Sequence, residues 1–149
     1  MIVCKSPAEL ERMHAACALV AVVLTHLERS VAPGVTTADL DEMAETQIRA
    51  AGAVPAFKGY HGYPATVCIS VNDEVIHGIP SRKRVLAAGD IVSMDVGAVL
   101  DGFVGDSAIT VPVGEIGPQA HALLRVTREA LYQAITRMQP GARVSDIGH

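Results

Sequence analysis

The stretch Gly89-Asp90-Ile91-Val92-Ser93-Met94-Asp95-Val96-Gly97-Ala98-Val99-Leu100-Asp101-Gly102-Phe103-Val104-Gly105-Asp106-Ser107-Ala108-Ile109-Thr110 decides how this chain folds. Asp101-Gly102 sits between two β-prone runs, a setting that favours a two-residue turn with positive φ at both central positions. Leu100 then faces Phe103, Gly97 faces Asp106, and Asp95 faces Ala108. Because side chains alternate with period two, the Asp95 and Asp106 carboxylates fall on one face as diagonal neighbours, with Cβ atoms roughly 6–8 Å apart. Two such groups could bracket divalent metals spaced about 3.5–4 Å.

The rest of the hairpin is consistent with this register. Val92, Met94, Val96, Ala98, Leu100, Phe103, Ile109 and Val111 supply a core surface on the opposite face. Ser93, Gly97, Ala108 and Thr110 surround the acids, leaving room where a packed strand would want bulk. The same acids also suit the wet side of an antiparallel sheet. A bulge at Gly97 or Gly105 would change the parity.

With 149 residues the chain has the length of one domain, and with half of them hydrophobic it has a core to bury. A net charge of −4 gives no basic footprint, and aromatics at 3% offer few stacking platforms, so a specific nucleic-acid partner is not expected. Cys4, Cys17 and Cys68 form no CxxC pair and leave one cysteine over in any disulfide scheme, which fits a reducing, cytoplasmic setting. The most apolar stretch, Ala15 to Leu27, is interrupted by Thr25 and His26 and falls short of the roughly 20 residues that span a bilayer. It reads as a buried helix, and no membrane partner is expected. Glu9 and Glu11 stand where a secretory leader would carry positive charge.

Ser6-Pro7-Ala8-Glu9 combines an N-cap, a first-turn proline and a glutamate three residues on, predicting a helix to about Ser30 that Pro33-Gly34 stops. A second helix starts near Thr36 or Thr37, buries Leu40, Met43, Ala44 and Ile48, and ends at Gly52. Val67–Val71 and Glu74–His77 flank Asn72-Asp73 and read as a second tight hairpin, with His77 across from Cys68. Ser81–Arg84 is a basic, solvated connection. A third helix runs from Gly117-Pro118 to about Met138 with Leu123, Leu124, Leu131, Ile135 and Met138 inward. Helix, Pro33-Gly34 and Thr37-Ala38-Asp39-Leu40 are echoed by helix, Pro140-Gly141 and Val144-Ser145-Asp146-Ile147, so the chain reaches His149 inside the first turn of a repeated helix.

His77 precedes Gly78-Ile79-Pro80, where glycine permits close backbone approach and proline ends the strand, placing the imidazole at a strand terminus. His14, His26, His121 and His149 read as ordinary hydrogen-bonded histidines. Phe57-Lys58-Gly59-Tyr60-His61-Gly62-Tyr63-Pro64 concentrates aromatics in an irregular loop that could wall a small apolar pocket or simply cover the core. The sequence lacks HExxH, a P-loop, a GxSxG elbow and a dinucleotide fingerprint. Two aspartates are too few for a closed metal site, since a hard divalent cation takes about six donors and zinc about four or five.

The segments Phe57–Pro64, Val67–Pro80, Gly89–Val96 and Asp101–Asp106 together closely resemble type I, bacterial-type methionine aminopeptidases of the M24 peptidases. The resemblance runs the length of the chain, and the segments His61-Gly62-Tyr63-Pro64 and Val75-Ile76-His77-Gly78-Ile79-Pro80 separate it from prolidases and creatinases. It implies an α+β fold, the N-terminal half of a pita-bread architecture, in which helices pack on one face of an antiparallel sheet. It also implies a hydrolase that removes the initiator methionine of nascent polypeptides when the next residue is small, with ribosome association as a possible family trait. The cofactor would be two divalent ions per complete site, of cobalt, manganese, iron or zinc. By the same resemblance Asp95 and Asp106 match metal ligands, Asp106 bridging. His77 matches the catalytic, substrate-contacting histidine, and Phe57, Tyr60, His61, Tyr63 and Cys68 match the substrate pocket and active-site wall.

In that family a further histidine and two glutamates complete the site from a second half of the fold. The expectation is therefore a single partial domain over residues 1–149, a truncated product or fragment holding part of the machinery. The competing expectation is a non-catalytic half-fold that binds a peptide or protein along an unpaired sheet edge.

Overall fold

The computed structural model describes residues 3–148. Met1, Ile2 and His149 lie outside the described residues, His149 being the last residue of the expected repeated turn. The chain divides into two compact units, Met1–Glu115 and Ile116–His149.

In the first unit, helix α1 (Pro7–Ser30) opens on the predicted capping box, with the Ser6 hydroxyl and the Glu9 carboxylate each closing on the other residue's backbone N–H. Helix α2 (Thr37–Ala50) repeats the device with Thr36 and Asp39. Four strands follow: β1 (Val54–Pro55), β2 (Val67–Val71), β3 (Ile91–Leu100) and β4 (Phe103–Pro112). All pairings are antiparallel, with β3 central between β4 on one side and β1 and β2 on the other. One face of this sheet buries Val67, Ile69, Val71, Val92, Met94, Val96 and Ala98 against Val20, Val23, Leu24 and Leu27 of α1 and Leu40, Ala44 and Ile48 of α2. Met43, expected inside, is only partly buried.

The β3–β4 ladder runs from Ile91↔Pro112 to Leu100↔Phe103 without a bulge. Asp101 and Gly102 both have positive φ, 49° and 79°, as the tight turn demands. Gly105 lies on the core face, where a Cβ would come within 2.4 Å of the Ala16 carbonyl oxygen, so α1 crosses β4 at the one position that presents no side chain. Taken alone, α1 is long and apolar enough to cross a membrane. Only one of its faces is buried: Ala16, Val20, Val23, Leu24 and Leu27 are covered, whereas Val22 is 57% exposed, which corrects the expectation of a fully buried helix.

The second predicted hairpin does not form. Asn72 has φ 59°, but Asp73 has no positive φ, so the two-residue turn is absent. The Asn72 side chain instead reaches Asp90 at 2.7 Å and the Ile91 N–H at 3.0 Å. Glu74 folds back so that its carboxylate accepts the Val71 N–H at 2.8 Å. Residues 74–80 are irregular, and Cys68 pairs with Asp95 rather than with His77. Along the outer edge of β2, the Val67 N–H goes to the Asp41 carboxylate, the Ile69 N–H to the Gly78 carbonyl and the Val71 N–H to Glu74. That edge is already occupied by side chains and loop, which leaves no ladder for a hairpin partner. In the basic connection, Arg82 forms ion pairs with Asp39 and Glu42 at the surface.

In the second unit, helix α3 (Pro118–Arg137) starts at Gly117 with proline at its first position, as predicted. Its stripe is not inward, however: Leu123, Leu131, Ile135 and Met138 are 49–68% exposed and no residue of the helix is buried. One helix and a short 3₁₀ turn cannot enclose an apolar stripe by themselves. That turn, Val144–Asp146, repeats the earlier cap: the Arg143 N–H meets Asp146 at 2.9 Å as Thr36 meets Asp39 at 3.0 Å, after Gly141 (φ 89°) and Gly34 (φ 92°) respectively.

Asp41 accepts both the Thr66 and the Val67 N–H on one oxygen, at 2.8 Å each, and ties α2 to the start of β2. Burial pushes its carboxyl above the ordinary 3.8, outweighing the two N–H donors. The folded state thus holds this proton more tightly than the unfolded chain, so the group contributes most at low pH and less as pH rises through its folded pKa. Asp41→Ala, which orphans two buried donors, is expected to cost about 2–4 kcal/mol. Asp41→Asn keeps the accepting oxygen and should cost far less, with the comparison moving in favour of the variant between about pH 4 and about pH 7. Urea denaturation of both variants across that range checks the order and the trend.

Candidate metal centre

On the face of the sheet away from α1, the hairpin register sets Asp95 opposite Ala108 and Asp106 opposite Gly97, the diagonal arrangement read from the sequence. The two acids influence each other. The Asp95 carboxyl is held above its usual range first by burial and then by the Asp106 charge, while His77 acts in the opposite direction. Among the described residues neither acid forms an ion pair with lysine or arginine. Two converging carboxylates with no lysine or arginine partner are a donor set suited to a divalent cation, since acceptor-only oxygens with like charge are relieved by a positive ion between them. Among the described residues no group of three or more His, Cys, Asp or Glu converges on one metal position, so the set is two donors strong.

Cys68 and Ser70 share the Asp95 face of β2, and both are buried although their neighbours Val67, Ile69 and Val71 fill the core side. Their cover is the irregular segment carrying His77 and Gly78, together with Tyr63. Tyr63 places its hydroxyl 3.0 Å from the Val67 carbonyl oxygen and 2.9 Å from that of Gly78. Burial first, and then the Cys68 thiol, raise the Tyr63 pKa, so the phenol stays protonated and donating. Burial likewise raises the Cys68 thiol, with Asp95 and Asp106 adding to the effect. Cys68 is therefore a neutral wall group rather than a nucleophile.

His77 sits in the left-handed region, φ 58°, on an exposed stretch. Gly78 after it is required: a Cβ there would lie 2.1 Å from the Ile69 carbonyl oxygen. This is the close backbone approach expected from the sequence, although it is made to β2 by a loop and not by a paired strand.

The aromatic loop contributes unevenly. Phe57 lies over Gly97, where a Cβ would come 2.6 Å from its ring, so the ring occupies the space beside Asp95 and Asp106 that the missing side chain leaves. Lys58 anchors the loop to Glu45 of α2 at 2.6 Å. Tyr60 and His61 form an exposed 3₁₀ turn in which their rings meet edge to face at 4.4 Å and 77°. The structure thus gathers Asp95, Asp106, His77, Cys68, Tyr63 and Phe57 around one face, whereas Tyr60 and His61 stay exposed on their own turn. Asp41 and Ser70 escaped the sequence reading. Period-two alternation through Cys68 would have put Ser70 on the site face once β2 was paired with β3, whereas nothing local marks Asp41 as a strand anchor.

Gly97→Ala is expected to lose about 1–3 kcal/mol through overpacking against the Phe57 ring. In a Phe57→Ala background the same change should cost clearly less, the Ala56 Cβ at 3.0 Å being the close contact that remains, and a double-mutant cycle by thermal or urea denaturation measures the coupling.

Comparison with known proteins matches this geometry. Residues 11–149 match the model of metallopeptidase family M24. The chain is 48% identical over its whole length to a methionine aminopeptidase of Clostridium acetobutylicum, of which it spans 60%. Over 97% of its length it is 51% identical to methionine aminopeptidase 1 of Mycobacterium tuberculosis, spanning 54% of that protein. The crystal structure of a Thermotoga maritima methionine aminopeptidase superposes with a TM-score of 0.97 at 44% identity, covering all of this chain and 60% of the other. A Pyrococcus horikoshii prolidase shares the fold at a TM-score of 0.83 and 23% identity, covering 96% of this chain and 40% of its own. The chain therefore spans 54–60% of the length of these methionine aminopeptidases. With residues 11–149 matched by the family model, the chain belongs to metallopeptidase family M24.

Proposed function

We propose that this chain supplies part of the active site of a methionine aminopeptidase, removing the N-terminal methionine of nascent polypeptides whose second residue is small. The observation that carries the reading is the convergence of Asp95 and Asp106 on one face of a bulge-free hairpin, with His77 beside Asp95. Asp95 and Asp106 would hold the metal. A divalent ion there would supply an acidified water and a positive charge facing the scissile carbonyl. His77 contacts the substrate and stabilises charge developing at the reacting carbonyl. Phe57, Tyr63 and Cys68 wall the methionine pocket, and Tyr60 and His61 border its mouth. An apolar wall with a neutral thiol suits a thioether side chain better than a charged one. Acting on nascent chains is a cytoplasmic task, and binding near the ribosome belongs to the same reading.

The family's pseudo-symmetric plan supplies the remaining metal donors from a second half, and the echo of α1 and the α2 cap in α3 and the 143–146 turn is consistent with such a repeat. The alternative of a binding module that recruits a partner to the β2 edge meets an obstacle, since Asp41, Gly78 and Glu74 already occupy its donors.

With two donors, the 149 residues by themselves should bind manganese weakly and release negligible methionine from a Met-Ala-Ser peptide. Calorimetric titration is expected to lose the manganese signal in both Asp95→Ala and Asp106→Ala. Joined to the C-terminal portion of the Clostridium relative, the chain should release methionine, and Asp106→Ala should abolish that release. A folded joined protein with no release, or unchanged manganese heats in both variants, would contradict the proposal.

A further inference from the structure

His77 is an exposed member of the candidate site held in a left-handed backbone conformation. Its φ of 58° is a conformation that a residue with a Cβ adopts only when its surroundings impose it. Val75 and Ile76 before it are 88% and 66% exposed, so little on that side restrains it. Among the described residues the imidazole has no hydrogen-bond partner, so the backbone alone sets the direction in which its Cα–Cβ bond leaves the chain.

The restraint comes from the following peptide. The Gly78 N–H donates to the Ser70 hydroxyl at 3.1 Å. The Gly78 carbonyl accepts the Ile69 N–H at 2.9 Å and the Tyr63 hydroxyl at 2.9 Å. Ser70 is 4% exposed on the site face of β2, where a buried hydroxyl without a partner would be unfavourable. Tyr63 is held in turn by the Val67 carbonyl, so both clamping side chains are referenced to the same strand. That strand is paired with β3 through Cys68↔Asp95 and Ser70↔Ser93, which ties the histidine's position to the metal-facing acids.

We propose that Ser70 and Tyr63 are positioning residues for His77, acting through the backbone N–H and carbonyl of Gly78. Ile69 supplies the third bond, and the missing side chain at Gly78 lets that residue lie against β2. On this assignment the Tyr63 hydroxyl is committed to backbone carbonyls, while its ring remains available to the pocket. The assignment rests on the reading of His77 as the substrate-contacting histidine, and its test requires no turnover.

The test is solution NMR of the isotopically labelled chain. The parent should show a Gly78 amide protected from exchange and a strong intraresidue amide-to-Hα NOE at His77, the mark of positive φ. Ser70→Ala is expected to accelerate Gly78 exchange at least about tenfold and to weaken the His77 NOE, while the β3 amides of Met94 and Val96 keep their protection. Ser70→Thr, which retains the hydroxyl, should restore both signals. Tyr63→Phe, which keeps the ring, should perturb His77 in the same way with a smaller effect on Gly78. Unchanged Gly78 exchange and His77 NOE in Ser70→Ala and Tyr63→Phe would overturn the proposal. So would losses shared equally by the β3 amides, because they would mark general destabilisation. Absence of methionine release from the joined protein would overturn the catalytic reading of His77 and leave the clamp to be decided by these signals.

Discussion

The register of the β3–β4 hairpin is the constraint on which the rest depends. One two-residue turn at Asp101-Gly102, with both residues at positive φ, fixes ten cross-strand pairs, from Leu100↔Phe103 to Ile91↔Pro112. A slip of one residue would send Val92, Met94, Val96 and Ala98 out of the core and bury the acids, so the apolar face and the carboxylate face enforce each other. The energetic weight lies on the apolar side, where these four residues are fully buried against α1 and α2. The functional face is carried by a register that burial on the other face selects.

Glycine completes the construction at two places where backbone or ring must approach closely. Gly105 brings α1 down onto β4, and Gly97 admits the Phe57 ring beside the acids. The same strand that packs the core thereby makes room for a site. Burial and the neighbouring carboxylates push Asp95 and Cys68 toward their protonated forms, against the opposing influence of His77 on Asp95 and of Tyr63 on Cys68. Two carboxylates with no lysine or arginine paired to them among the described residues suit a cation.

The parts legible in the sequence were those set by local chemistry and by one strong turn. The capping boxes at Ser6/Glu9 and Thr36/Asp39, the Asp101-Gly102 hairpin and the pairing of Asp95 with Ala108 all follow from neighbours within a few residues. What could not be read depends on groups distant in the chain. Asn72-Asp73 looked like another hairpin turn, yet the Asn72 side chain was claimed by Asp90 and Ile91, and the β2 donors by Asp41 and Glu74. The stripe of α3 shows helical periodicity, but periodicity states which face is apolar and not whether anything covers it. Of the site, the acids and the Phe57, Tyr63 and Cys68 neighbourhood were visible through resemblance, whereas the clamp on Gly78 emerges from geometry.

The central claim is that this hairpin register makes one cation seat of Asp95 and Asp106. The most direct test is anomalous diffraction from crystals of the chain grown with manganese. An anomalous peak shared by the carboxylates of Asp95 and Asp106 is the expected result. Manganese bound elsewhere, or held by one of these acids with the other turned away, would contradict it.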